Sequence, residues 1–137
     1  MIPDNHINKE LKARLNNLDV DGTAFKFFDS RATSSRSKNY FLLSTQLNGS
    51  RRTKCGKGWL NSTEIQVVVI HPLNTGSKAL MNRATEELLN EIDDFSLPVG
   101  SGFTVNGVET YIANEIVQNE DSNVVYRKIV RMETTIN

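Results

Sequence analysis

Cysteine, histidine, proline and aromatic residues are all scarce in this chain of 137 residues, and each shortage removes a class of function. The single cysteine, Cys55, cannot close an internal disulfide. The stretch Met1–Leu15 is charged within its first ten residues and has no apolar core, so no secretory signal is expected. Synthesis in the cytoplasm follows, and the sequons Asn48-Gly49-Ser50 and Asn61-Ser62-Thr63 read as accidental. The two histidines, His6 and His71, stand far apart, and Cys55 has no CxxC partner, so no metal site is expected. No apolar run approaches the roughly 20 residues of a membrane helix. Aromatic residues make up 7%, a thin provision for stacking nucleic-acid bases. What remains is 38% hydrophobic and 23% charged, the ordinary composition of a folded chain. At this length one domain, residues 1–137, is expected, burying about two thirds of its unfolded surface.

Net charge is zero, yet the charges are segregated. From Arg31 to Gly58 the chain carries Arg31, Arg36, Lys38, Arg51, Arg52, Lys54 and Lys57 and no acid. From Ala84 to Tyr126 it carries Glu86, Glu87, Glu91, Asp93, Asp94, Glu109, Glu115, Glu120 and Asp121 and no lysine or arginine. Two readings stand: the regions neutralise each other within one copy, or they meet between identical copies, head to tail.

Apolar spacing predicts a helix over about 5–18, with Ile7, Leu11, Leu15 and Leu18 on one side and Asp4 or Asn5 as its cap. Asp19–Gly22 reads as a break and Thr23–Phe28 as a short strand. About 29–39 is rich in serine and cations and reads as an exposed loop. Tyr40–Leu47 is an apolar strand, 48–58 a second exposed loop, and Thr63–His71 a strand in which Ile65, Val67 and Val69 alternate onto one face. A second helix follows over about 77–92, capped by Thr75 or Ser77, with Leu80, Met81, Ala84, Leu88 and Ile92 as its stripe. Strands over about 108–118 and 123–134 form an antiparallel hairpin through a polar turn. Neither face of the last strand is purely apolar, as at a sheet edge or a contact between subunits. The order is α-β-β-β-α-β-β: an α+β fold, with a mainly antiparallel sheet of about five strands and two helices on one face.

The basic stretch "SRRTKCGKGW" invites two chemistries. A phosphate-binding loop requires glycine, four residues, then Gly-Lys-Ser/Thr between a strand and a helix. Here Gly58 follows Lys57, Arg51 occupies the position of the first glycine, and a strand follows, so no nucleotide cofactor is expected. Nucleic-acid contact stays open, because Arg51, Arg52, Lys54 and Lys57 can neutralise phosphates beside Trp59. The cations around Cys55 are expected to lower its thiol pKa and make it reactive, and catalysis would need His71 beside it in space, which nothing in the sequence promises. Glu86-Glu87 and Asp93-Asp94 read as solvated acids or interface residues. No catalytic pattern is present, and no enzymatic activity is expected.

Several stretches together resemble the tail-completion or tail-terminator proteins of tailed bacteriophages, the small head-to-tail connector subunits. They are "INKELKARL" in the first helix, "YFLLSTQ", "TEIQVVVIH" leading at once into "SKALMNRATEELLNEI", and the closing "YIANEIVQ…VVYRKIVRMETTIN". The resemblance spans most of residues 5–134 as an order of elements, without invariant letters. It implies a non-enzymatic structural protein of the virion, made in the host cytoplasm. Such a subunit forms a homo-oligomeric ring of six or more copies in the connector or tail, beside other neck and tail proteins, with DNA passing through. The expected contacts are the cations named above with Trp59 on one side and the acids on the other, with transient non-specific DNA contact allowed. The loops at 29–39 and 48–58 exceed what a minimal connector needs. The other reading is a small non-enzymatic module that binds nucleic acid through 50–59.

Overall fold

The computed structural model describes residues 2–29, 38–53, 56–73, 76–120 and 122–137, with the side chains of 51–53, 56 and 57 not described. Its elements are α1 (Asp4–Leu15), β1 (Leu18–Val20), β2 (Thr23–Phe28), β3 (Asn39–Thr53), β4 (Gly56–Pro72), α2 (Ala79–Ile92), a single 3-10 turn (Val99–Ser101), β5 (Val105–Glu120) and β6 (Asn123–Ile136). The fold is α+β, as expected, but the curled sheet has six strands, ordered β1-β2-β3-β4-β6-β5. The chain order is therefore α-β-β-β-β-α-β-β.

The additional strand comes from the segment read as a helix break. Asp21 and Gly22 both adopt positive φ, 50° and 88°, between Val20 and Thr23, which pair directly. That is the two-residue Asp-Gly turn whose twist suits a tight hairpin. The first helix also ends at Leu15 rather than 18. Asn17 enters the left-handed region at φ 65°, which asparagine tolerates, and its N–H donates to the Phe25 carbonyl at 2.7 Å. Neither Asp4 nor Asn5 caps the helix. Pro3 occupies that position, and its carbonyl accepts from the Ile7 N–H at 3.0 Å. At the second helix the Ser77 hydroxyl accepts from the Ala79 N–H at 3.2 Å, and Thr75 lies outside the described residues.

The second correction concerns 48–58, read as a loop: 48–53 and 56–58 are strand. β3 and β4 stay paired from Asn39↔Val69 to Thr53↔Gly56, so the basic stretch is the end of a long hairpin. Its polar composition hid this, because pairing along the backbone needs no apolar side chains. A bulge at Ser44, between Leu43 and Thr45, switches which residues face the core. Phe41 and Leu43 are buried there, whereas Leu47 is turned outward and is 70% exposed. β2 joins β3 in parallel through Lys26↔Tyr40 to Phe28↔Leu42, and the other pairings are antiparallel.

Both helices lie on one face. Ile7, Leu11 and Leu15 of α1 and Met81, Ala84, Leu88 and Ile92 of α2 share one buried cluster with Phe41, Ile65, Val67, Val130 and Met132. Leu80, expected in the stripe, packs against that cluster half-buried. The opposite face carries a smaller cluster, Tyr40, Val68 and Val125, flanked by Phe28, Leu42 and Ile70. The last strand, read as a possible sheet edge, is interior: β6 lies between β4 and β5, and β5 is the edge.

Candidate interface: a sheet with charge at its two ends

The two long hairpins run in opposite senses. From Trp59↔Ile136 to Pro72↔Asn123 the β4–β6 ladder advances thirteen residues, about 43 Å. The β3–β4 hairpin closes beyond the first of these rungs, and the β5–β6 hairpin closes beside the second, at Glu120↔Asn123. Arg51 and Arg52, paired with Gly58 and Lys57, therefore stand at the end away from Glu120.

A polar chain anchors the base of the basic hairpin. Asn61 is 2% exposed and donates to Asn48 at 2.7 Å, and Thr63 donates to Asn61. Asn48 donates in turn to Asp4, at the start of α1. Trp59, expected as a contact residue, is half-buried against the main core. It secures the hairpin where β4 leaves β6.

The other cations do not join this end. Lys38 is exposed, and its carbonyl accepts from Ile70 at 2.8 Å, near the far end of the same hairpin. The basic stretch of sequence is thus not one surface. Arg31, Arg36, Lys54 and Asp121 lie outside the described residues, and only the backbone of Arg51, Arg52 and Lys57 is described.

Many of the acids already have partners. Arg83 pairs with Asp21 at 3.4 Å, and with Glu86 and Glu87 on its own helix. Arg14 reaches Glu10 and Asp94, each at 2.9 Å, and the Glu91 carbonyl at 2.7 Å. Asp93 accepts from Thr110 at 2.9 Å, which ties the end of α2 to β5. Glu115 meets Lys78 at 3.1 Å and Lys128 at 3.7 Å. The hydrogen bond from Lys78, followed by the charges of Lys78 and Lys128, holds its carboxyl below the ordinary value.

Glu109 and Glu120 are exposed and have no ion-pair partner among the described residues. Glu109 also sits directly opposite Glu133, a like-charge pairing that is unfavourable unless a cation joins it. Glu133 accepts from the Tyr111 hydroxyl at 3.2 Å, which itself accepts from Arg131 at 3.3 Å. Both acids line a 490 Å³ cleft with Leu60, Ser62, Gly107 and Thr135. Sequence reading missed Glu133, because only the cross-strand register sets it opposite Glu109.

Among the described residues no group of three or more His, Cys, Asp or Glu is placed to hold a metal ion. No helix among them is long and apolar enough to cross a membrane. These features define an α+β domain built on a six-stranded, mainly antiparallel sheet. A solved structure shares the fold: a chain of the virion of a native gene transfer agent particle superposes with a TM-score of 0.61. The match covers 96% of this chain and 92% of that one at 14% sequence identity, a likeness of fold. No protein-family model matches the sequence, and no curated protein does.

Proposed function

We propose that this chain is a non-enzymatic structural subunit of a phage-like virion. In this reading it is a tail-completion or tail-terminator-like protein that forms a ring of six or more copies at the connector or tail. DNA passes through that ring, and other neck and tail proteins flank it. The observation that carries the proposal is the end-to-end likeness of fold to a virion chain, 96% of one and 92% of the other. The segregation of charge along the sequence supports it, because unlike charges on one subunit favour head-to-tail contact, which closes into a ring where the rotation permits.

Native mass spectrometry across concentration and salt, with negative-stain images of the same samples, tests this. Closed rings of defined copy number that come apart as salt rises are expected. Reversing Arg51→Glu and Arg52→Glu together is expected to weaken assembly by about tenfold or more and to leave the monomer's circular dichroism unchanged. A protein that stays monomeric, yet shifts short DNA at physiological ionic strength, overturns the ring in favour of the nucleic-acid module.

A further inference from the structure

Among the described residues, each rim of the sheet has a stretch of strand that is paired on one side only. Among the described residues β5 pairs on one side only, with β6. Along Val105–Glu120 it has no proline, lysine or arginine, and its edge is interrupted by irregularities between Val105 and Gly107 and between Ile112 and Asn114. Tyr111, Ile112 and Val117 are 41%, 50% and 49% exposed on it. At the other rim, β2 covers β3 only from Tyr40 to Leu42. Among the described residues no strand lies outside β3 from Leu43 to Thr53.

Direction and charge then choose the partner. β3 and β6 run one way, β4 and β5 the other. A second copy added in the same orientation brings its β3 antiparallel to β5, the more stable form of pairing. β5 carries Glu109, Glu115 and Glu120 and no cation, whereas 43–53 carries Arg51 and Arg52 and no acid. Pairing β5 with β5, or β3 with β3, across a two-fold axis would oppose like charges. Pairing β5 with β3 opposes unlike ones.

We infer that the outer edge of β5 in one copy receives Leu43–Thr53 of a second copy as an added antiparallel strand, its arginines against Glu109 and Glu133. The inference rests on the assembly proposed above and names its contact. Main-chain hydrogen bonds supply the strength of such a junction, and the charges select partner and register. β2 covers the inserted strand up to Leu42, which limits how far it can extend along β5.

Two measurements on the full chain test it. Hydrogen-exchange mass spectrometry is expected to show new protection in peptides covering 105–120 and 43–53 when the dilute monomer assembles. The double variant Ile112→Lys, Val117→Lys places a cation on each side of Glu115 at already exposed positions. It is expected to keep the melting temperature of the wild-type monomer and to raise the concentration needed for assembly by about tenfold or more. Rings whose β5 peptides exchange as fast as in the monomer, or a double variant that assembles like wild type, overturn this junction and leave the ring standing. A wild-type chain monomeric at every concentration and salt overturns both.

Discussion

The two long hairpins differ in how they are held. In the β5–β6 hairpin, β6 is backed by β4 over its whole length, to the rung Pro72↔Asn123 beside the closing turn. In the β3–β4 hairpin, Gly56, Lys57 and Gly58 pair with β3 alone, because β6 has ended at Ile136. The end that carries Glu120 is braced within the sheet, and the end that carries Arg51 and Arg52 extends past it on two strands. In the proposed assembly, the braced edge would receive and the projecting strand would insert.

The largest effect is expected where the two hairpins share a strand. Ile65 of β4 is fully buried, between Leu43 on one side and Val130 on the other. Ile65→Ala removes part of the core common to both and is expected to cost about 2–5 kcal/mol. Urea unfolding is expected to give a lower midpoint in one transition, with both hairpins losing exchange protection together. Loss confined to one hairpin would show that they are separate units.

A smaller change separates them. Asn61→Ala leaves Asn48 and Thr63 without the partner that now joins them, at a cost of about 1–3 kcal/mol. Exchange is expected to rise in peptides near 48–61 and to stay unchanged in 108–134. Equal loosening of both regions would mean that the polar chain supports the whole sheet and not the projecting hairpin.

The same contrast explains what was legible in sequence. Ile65, Val67, Val69, the α1 stripe and the α2 stripe were readable because burial on one face writes a period of two or 3.6 into the chain. The basic hairpin was not, since its support comes from pairing to β4, from the Asn61 chain and from Trp59, none of which leaves an apolar period. The bulge at Ser44 also breaks the alternation that would have marked Leu47 as outward. Asp21-Gly22 carried a hairpin signal, but the flanking strands are too short to show a pattern beside it. For the candidate interface, the segregation of charge was visible and its placement was not. Lys38 immediately precedes β3 and Arg51 lies near its other end, while Glu109 and Glu133 are distant in sequence and adjacent in the sheet.

The smallest expected effect concerns the one acid on the β5 rim that is already engaged. Because the Lys78 hydrogen bond, and then the Lys78 and Lys128 charges, hold the Glu115 carboxyl below its ordinary value, ionised Glu115 favours the folded state. That contribution is present above the unfolded-state pKa of about 4.3 and is lost as pH falls through the lower folded value. Glu115→Gln is therefore expected to narrow the stability difference between neutral and acidic solution only slightly, since the pair is exposed and screened. Carboxyl-carbon NMR titration checks the sign, with Glu115 titrating below an unstructured glutamate. If assembly is unaffected by Glu115→Gln while Glu109→Lys weakens it, the acids of this rim divide as the geometry has them. Glu115 then holds α2 to the edge, and Glu109 is left for the neighbour.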